Sequence, residues 1–535
     1  MEESDNKLWH FHGGLKLNPH KKISIGEPLR RVPLPELLTL PTHQHIGEPA
    51  EVLVKAGDRV FKGQLLARAN GYISARVHAS SSGTVVEVGQ RPVPHPSGMS
   101  AECIVIETDG KDDWGDARLA HIDDYNSISP ASLRSRVREC GIVGLGGAAF
   151  PTSVKLNPLP QHTIDTLIIN GVECEPYITC DDTLIRVRTG DILESARMLR
   201  YALGNPECII AVEDDMPAAR DALIEALGGE AADGIRVTVI PTIYPSGSEK
   251  QLIRVLTGRE VRANGLPHDM GVVCQNVATA YAVYRGVRYG EPLLERIVTV
   301  TGRGVRQPCN LEVTLGTPVA EVIAAAGGYN GSAERLLMGG PMMGVALQDD
   351  IVPVVKATNC LLVASHSEID APQPMMPCIR CGECVRVCPA GLLPQELYRH
   401  AKAREFDRVQ EFNLFDCIEC GCCSYVCPSH LPLVHYYRFA KSEIGERERE
   451  REASDVARRR FEFRQERLER EKRERAERQA RKRAKVAVQA SAPEKKAAID
   501  AAVERSRARR GQRTGDEQAP PGVVANKSGE MESTD

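Results

Sequence analysis

The most constraining feature of this chain is a cysteine pattern that occurs twice near its end. The spacing Cys-x2-Cys-x2-Cys-x3-Cys-Pro runs from Cys378 to Pro389 and again, 39 residues later, from Cys417 to Pro428. This spacing is typical of loops that wrap a [4Fe-4S] cluster. Three thiolates bind one cluster, and the fourth, before proline, reaches across to the other. The pattern therefore predicts two clusters and a chain that carries electrons.

The same rule predicts the ligands of each cluster, because the fourth cysteine of each repeat crosses to the other site. One predicted ligand set is Cys378, Cys381, Cys384 and Cys427. The other predicted set is Cys417, Cys420, Cys423 and Cys388. Cys422 is a ninth cysteine in this region. We expect it to be buried beside the ligands, with ligand exchange as the alternative.

Two other cysteine frameworks fit the sequence less well. Paired zinc ribbons need two Cys-x2-Cys knuckles that close on each other, whereas this chain has two repeats of four cysteines. Disulfide scaffolds of secreted proteins are short, and this chain has 535 residues. Its seventeen cysteines, together with labile clusters, fit a reducing cytoplasm.

Length, charge and hydropathy restrict the remaining possibilities. The length predicts about three or four domains. A net charge of -4 gives the whole chain no electrostatic attraction for nucleic acid or membrane. No apolar run reaches the about 18 residues that a membrane-spanning helix needs. We therefore expect a soluble polypeptide whose association with a membrane comes through a partner.

Residues 46 to 88 hold short alternating strands separated by glycines, which indicates a small β-sandwich. The phrase Gly57-Asp58-x-Val60-x-x-Gly63-Gln64 resembles the barrel-sandwich hybrid of lipoyl and biotinyl carrier domains. A carrier needs a lysine at its hairpin tip, and the corresponding stretch from Ala69 to Ala75 has none. The sequence therefore favours a structural or docking module over a swinging arm.

From about residue 130, short apolar strands alternate with helical stretches, which predicts an α/β sheet covered on both faces. Ligands bind such sheets outside the carboxyl ends of the strands. One candidate there is the glycine-rich phrase from Gly144 to Thr152, followed by Lys155. Its backbone could cradle a phosphate. The next strand end carries Glu173 and Glu175, which fit either a nucleotide or flavin site or a solvated loop.

Several motifs, taken in order, resemble one known family. They are the Gly-x-Gly-Gly-Ala-x-Phe-Pro-Thr phrase, the turn from Asn170 to Pro176, the run from Tyr244 to Lys250, and the turn from Cys274 to Val277. Together they resemble the FMN- and NADH-binding subunit of respiratory complex I. With the two cysteine repeats, the whole order is similar to the C subunits of the Rnf ion-translocating electron-transport complexes, also called Rsx, over about residues 8 to 442.

That resemblance implies a set of flavin contacts. The residues implied to hold FMN are Gly144, Gly146, Gly147, Lys155, Asn170, Gly247 and Asn276. Glu173 and Glu175 are implied to lie at the nicotinamide approach, as the catalytic residues. The sequence departs from complex I in two places, because a Gly-Glu-Glu run becomes Gly247-Ser248-Glu249 and an Asn-x-Asp-Glu turn becomes Asn170-x-Val172-Glu173.

The resemblance also implies partners and a location. Electrons would run from NADH through FMN and the two clusters to a partner subunit, or in reverse. The implied partners are the ferredoxin-like B component of the complex and its integral membrane subunits, at the cytoplasmic face of the bacterial inner membrane. Two alternatives stay open: a stand-alone soluble NADH:ferredoxin-type oxidoreductase, and a non-catalytic iron-sulfur relay with a degenerate flavin site.

The predicted fold is therefore multidomain α/β with five parts. They are a barrel-sandwich-hybrid domain (1–125), a Rossmann-like FMN- and NADH-binding α/β domain (130–290), a β-grasp module (291–350), an α-helical two-[4Fe-4S] ferredoxin-type domain (368–442) and a charged tail (445–535). We expect helix between Pro394 and Arg408. In the tail, the segment from Arg451 to Ala490 contains fifteen Lys or Arg residues and eight Asp or Glu residues. This indicates a solvated helix or a basic arm for anionic lipid or a partner, with disorder from Ser491 onward.

Overall fold

The structure, a computed structural model, describes residues 7–158, 162–263, 265–369, 373–490 and 493–511. The chain divides into two units, Met1–Ile444 and Gly445–Asp535. The first unit contains the sheets and the cysteine repeats, and the second is helical over its described residues.

The N-terminal module is a pair of small antiparallel sheets. The strands of one sheet are, in spatial order, Leu37–Pro41, Ser100–Thr108, Gly83–Pro92 and Arg59–Val60. The strands of the other are Glu51–Val52, Leu65–Arg68 and Val77–His78. Alternate side chains of the first strand, Leu38 and Leu40, are buried, as expected where one face of a sheet meets a core. The predicted β-sandwich is confirmed.

The next module is built on a mostly parallel sheet whose strand order determines where a ligand can bind. Its parallel strands are, in spatial order, Ile235–Ile240, Glu207–Glu213, Thr166–Gly171 and Val272–Asn276. The short strand Ala231–Ala232 adds an antiparallel edge. Counted along the chain the order is third, second, first and fourth, so it reverses beside Thr166–Gly171. Such a switch point is where open α/β sheets bind ligands.

Helices cover both faces of this sheet. They are Pro130–Glu139, Thr152–Lys155, Cys180–Val187, Thr189–Ala202, Pro217–Leu227, Glu249–Thr257 and Val277–Tyr289. Neighbouring side chains of the central strand point to opposite faces of the sheet. Leu167 and Ile169 therefore pack in one apolar core, and Ile168 packs in another. This burial on both faces explains the unbroken apolar run of the strand.

The β-grasp module is a six-stranded sheet with one short helix. Its strands are, in spatial order, Arg30–Arg31, Cys309–Thr314, Glu295–Thr301, Cys360–Ser365, Ala333–Met338 and Val345–Ala346, with the helix Val319–Ala325. Two of these strands come from outside residues 291–350. Arg30–Arg31 pairs in parallel with Cys309–Thr314, and Cys360–Ser365 lies between two strands of the module.

The cysteine-rich module is helical. Its helices are Glu383–Arg386, Pro394–Lys402, Phe406–Glu411, Cys422–Tyr425 and the start of Leu433–Ala490. Leu397 and Tyr437 are fully buried in its core. The helix expected between Pro394 and Arg408 is divided in two, because Arg404 adopts a left-handed conformation with φ 58°, which no α-helix contains.

The second unit contains the long exposed part of helix Leu433–Ala490 and a second helix, Pro493–Gly511. The predicted solvated helix is therefore present. The disorder predicted from Ser491 is wrong for Pro493–Gly511, because this segment is rich in alanine, lysine, arginine and glutamate, which favour helix, and its proline stands at the first turn, where proline is tolerated. Residues 512–535 lie outside the described residues. None of the described helices is both long and apolar enough to cross a membrane.

Candidate functional site

Two asparagines mark the switch point of the parallel sheet. Asn170 and Asn276 lie at the carboxyl ends of neighbouring strands and are paired in register. Asn170 Nδ2 donates to the Gly247 carbonyl at 2.8 Å, and its Oδ1 accepts from the Val172 amide at 3.0 Å. Asn276 Oδ1 accepts from the amides of Ala278 and Thr279 in helix Val277–Tyr289, and its Nδ2 donates to Asp181 at 2.6 Å. The structure thus brings together Asn170, Gly247 and Asn276, as a ligand site at this edge requires.

The glycine-rich loop lies against these asparagines. A Cβ on Gly146 would come within 3.1 Å of the Asn276 Cβ, so a larger residue here would require Asn276 to move by a few tenths of an ångström. Gly146, Gly147 and Ala148 are exposed, and among the described residues their amides donate to no protein acceptor. Gly147 has φ +128°, which is open to glycine. Free amides beside a switch point suit an anionic group such as the phosphate of FMN.

Lys155 ends the short helix after this loop. Its ammonium contacts Glu249 at 2.6 Å and the Cys274 carbonyl at 3.1 Å. Gly247 is more restricted than Gly146, because a Cβ there would lie only 2.6 Å from the Val172 carbonyl oxygen. The residues implied for FMN therefore surround one strand-end region, although Lys155 already has a carboxylate partner.

Both predicted acidic residues have partners inside the protein. The Glu173 carboxylate accepts from the amides of Asp181 at 2.9 Å and Asp182 at 3.2 Å. Burial raises the pKa of Glu173, and the charge of Asp181 raises it further. Glu175 Oε1 accepts from the amides of Met342 at 2.7 Å and Met343 at 3.0 Å. Their place at the nicotinamide approach stays a prediction.

Arg296 is a site residue that sequence reasoning missed. Its buried guanidinium donates from the β-grasp module to the Leu145 carbonyl of the glycine-rich loop at 3.3 Å, and also to the Lys356 carbonyl. A cavity of about 170 Å³ lies between the modules, and Arg296, Leu145 and Asp181 are among its lining residues. No local pattern marks Arg296, because its partners are about 150 residues earlier and 60 residues later in the chain.

The two cysteine repeats fold in the same way. In each repeat the residue before the second cysteine is left-handed, with φ 57° at Arg380 and 58° at Glu419. The glycine after the second cysteine has φ 81° in both, at Gly382 and Gly421. A short helix follows in each copy. The repeated spacing thus produces two equivalent loops, as two equivalent cluster sites require.

The thiols of the two repeats lie close to one another, and the crossed ligand sets stay a prediction. Burial raises the pKa of Cys384, and the nearby thiols of Cys381, Cys427 and Cys378 raise it further. Burial raises the pKa of Cys423 too, and the nearby thiols of Cys417, Cys420, Cys388 and Cys384 raise it further. Cys388, Cys417, Cys420 and Cys423 line one small cavity, together with Cys422. Both groups of soft thiolate ligands therefore fit a [4Fe-4S] cluster.

The two groups differ in exposure. We name Cys378, Cys381, Cys384 and Cys427 the outer site, because Cys378 and Cys381 are exposed. We name Cys388, Cys417, Cys420 and Cys423 the inner site, because all but Cys417 are buried. Cys422 is fully buried beside the inner site, as expected.

The inner site lies against the module built on the parallel sheet, which we call the switch-point module. The buried Tyr244 hydroxyl donates to the Cys420 carbonyl at 2.6 Å, and Tyr244 is three residues before Gly247. Lys250 pairs with Asp416 at 2.9 Å, and the Gln251 amide donates to the Pro389 carbonyl at 3.2 Å. The switch-point module therefore carries the asparagine and glycine site and also contacts the inner site.

Comparison with known protein families gives four matches in the same order as the modules. They are an RnfC barrel sandwich hybrid domain (9–111), a Nuo51 FMN-binding domain (137–285), an SLBB domain (297–346) and a 4Fe-4S dicluster domain (377–431). The predicted multidomain fold is confirmed. So is the assignment of a flavin-type domain and a two-cluster domain.

Three similar proteins are named as C subunits of ion-translocating oxidoreductase complexes. The one from Pseudomonas aeruginosa is 47% identical over 87% of this chain and 59% of its own length. The one from Rhodobacter capsulatus is 45% identical over 76% of this chain and 77% of its own length. The one from Erwinia tasmaniensis is 44% identical over 87% of this chain and 57% of its own length. On this identity and coverage, the chain belongs to the family of ion-translocating oxidoreductase complex C subunits.

Proposed function

We propose that this chain is the peripheral electron-transfer subunit of a membrane-bound, ion-translocating complex. It passes electrons between NADH and a low-potential acceptor such as ferredoxin, by way of FMN, two [4Fe-4S] clusters and a partner subunit. The observation that carries the proposal is the continuity from Asn170 and Gly247, through Tyr244, to Cys420. FMN can exchange two electrons with a nicotinamide and single electrons with clusters, and the protein supplies position and environment.

The residues of the switch point have separate tasks in this proposal. The exposed amides of Gly146 and Gly147 receive the flavin phosphate, with Lys155 adding positive charge nearby. Asn170 and Asn276 present fixed amide side chains at the strand ends, because each is already held by hydrogen bonds. Arg296 holds the loop through the Leu145 carbonyl. Glu173 and Glu175 stay our predicted residues on the nicotinamide side.

The outer site is the exit toward a partner. Large apolar side chains are exposed around it, among them Met375, Met376, Ile379 and Tyr425. Apolar surface beside exposed ligands is what an electron-transfer partner covers. We propose that the partners are the ferredoxin-like and integral membrane subunits of the complex, at the cytoplasmic face of the bacterial inner membrane.

An anaerobic NADH titration tests the proposal. The full chain is reconstituted with iron, sulfide and FMN, and flavin bleaching is followed together with cluster reduction. We expect both signals to fall as NADH is added. If both cofactors are bound and neither responds, the two-electron chemistry lies in another chain and this one is a relay. The engagement of both predicted carboxylates by backbone amides is the observation that favours this second candidate.

Gly146→Val tests the flavin position. The new side chain would occupy the space in front of Asn276, because a Cβ alone comes within 3.1 Å of the Asn276 Cβ. Overpacking of this kind costs about 1–3 kcal/mol, so FMN affinity should fall about 5- to 150-fold. Fluorescence titration of FMN measures the change. Gly331→Val, at a position with no atom within 4 Å of its Cβ, is the matched control, and equal FMN affinity in both variants would contradict this placement.

A further inference from the structure

The loop Gly339-Gly340-Pro341-Met342-Met343-Gly344, here the Gly339–Gly344 loop, connects two strands of the β-grasp module. No chemistry has been assigned to it so far. The loop touches the switch-point module on one side and the inner site on the other. It is therefore the place where three modules meet around one group of cysteines.

Glu175 fixes the loop on the first side. Its Oε1 accepts two hydrogen bonds, from the Met342 amide at 2.7 Å and the Met343 amide at 3.0 Å. The contact is close, since a Cβ on Gly340 would lie 2.1 Å from the Glu175 Cγ. Gly340 is thus a glycine because Glu175 occupies the place of its side chain.

The loop meets the inner site on the second side. A Cβ on Gly421, between the ligands Cys420 and Cys423, would lie 2.9 Å from the Met342 carbonyl oxygen. The Met342 side chain packs with Tyr244, Cys420 and Cys422 in one apolar core. This packing leaves little room for water at the inner site, whereas Cys378 and Cys381 of the outer site are exposed.

We propose that Glu175 is a positioning residue, which holds the Gly339–Gly344 loop against Gly421 and so keeps water from the inner cluster. The inference rests on the proposed function, because it requires a cluster at the inner site. Solvent exposure and hydrogen bonds around the sulfurs set the properties of such a cluster. Glu175 acts here through the loop backbone, 167 and 168 residues away in sequence.

The test uses the full chain with both clusters reconstituted and compares Glu175→Ala with Glu175→Gln. Anaerobic release of iron to a chelator measures access to each cluster, and electron paramagnetic resonance separates the two signals. We expect Glu175→Ala to lose the inner cluster about tenfold faster, because two hydrogen bonds to a carboxylate are lost. The outer cluster should be released at the wild-type rate. Glu175→Gln keeps a carbonyl oxygen for both amides and should restore slow release.

Two further variants keep the result interpretable. Glu368→Ala removes another carboxylate that accepts two backbone amides, from Arg303 at 2.8 Å and Ser365 at 3.0 Å. It should leave both release rates unchanged. Gly340→Ala should accelerate inner release as Glu175→Ala does, without altering any carboxylate.

The outcomes separate this inference from the function. Wild-type inner release in Glu175→Ala and Gly340→Ala, with both clusters bound, would overturn the inference and leave the proposed function standing. Fast release in Glu175→Gln would also overturn it, because the loop amides would still have an acceptor. Absence of a cluster from the reconstituted wild-type chain would overturn both.

Discussion

Cys420→Ala should remove the inner cluster and leave the outer one, and Cys381→Ala should do the reverse. Each loop supplies three ligands to one cluster, so the loss of one thiolate opens that site. The iron content of the reconstituted chain should fall by about half in each variant. Iron and sulfide analysis, with electron paramagnetic resonance at low temperature, measures the loss. FMN should stay bound in both variants, because the strand-end site is built from other residues.

Substitution of the fourth cysteine of each repeat tests whether the ligands cross between the two clusters. Cys388 belongs to the first repeat but lies near Cys423 of the second, and the crossed rule assigns it to the inner site, so Cys388→Ala should abolish the inner signal. Cys427→Ala should abolish the outer signal, because Cys427 groups with Cys384. Cys422→Ala is the matched control and should keep both clusters. Loss of the outer signal in Cys388→Ala would mean that each repeat binds its own cluster.

The cysteine loops could be predicted from sequence because their geometry is local. Three ligands and the turn between them lie within seven residues, so the spacing determines the loop, and both copies have the same φ values at Arg380 and Glu419. The parallel strands could be predicted for a similar reason, since burial on both faces requires continuous apolar residues. Their spatial order is not local, and the sequence analysis made no prediction of it, because hydrophobic periodicity does not encode which strands are neighbours.

The contacts that organise the site could not be predicted. The strand Arg30–Arg31 has two residues and no period to detect, and its partner strand begins at Cys309. In the sequence, Glu175 has no feature that distinguishes it from an acidic residue of a solvated loop. Only the fold brings the amides of Met342 and Met343 to its carboxylate. Arg296 lies in an ordinary strand pattern, although its guanidinium supports the glycine-rich loop. Each is a pairing between distant residues, which neither propensity nor spacing encodes.

Lys356 is another such residue, and it has the largest expected effect on stability. Its ammonium is buried where three modules meet, and it donates to the carbonyls of Arg76 at 2.8 Å and Gly141 at 2.7 Å. Burial lowers its pKa to about 7. The nearby His45 and His78 are buried as well. Burial, and next the charge of Lys356, lower their pKa values to about 4 and about 3.

The sign of the pH dependence follows from these shifts. In the unfolded chain a lysine keeps its proton up to a pKa of 10.5, whereas folded Lys356 loses it above about 7. Between these values the unfolded state binds more protons, so the free energy of unfolding rises with pH. One pKa unit corresponds to about 1.4 kcal/mol, so the rise from about pH 7 to about pH 9.5 is about 3 kcal/mol. His45 and His78 also make the free energy of unfolding rise with pH, in the acid range. Both stay neutral in the folded protein at pH values where the unfolded imidazoles bind a proton, so acid destabilises the fold.

Lys356→Met should remove the rise in the free energy of unfolding between about pH 7 and about pH 9.5. The variant has no amine that can titrate at the junction, the place where the three modules meet. Urea unfolding of the apoprotein at several pH values, followed by circular dichroism, measures the free energy of unfolding of both forms. Lys62→Met, which removes a lysine paired with Asp112 at 2.6 Å, is the matched control and should keep the rise. An equal rise in both variants would show that folded Lys356 retains its proton, and the junction would then need an anionic partner for this ammonium.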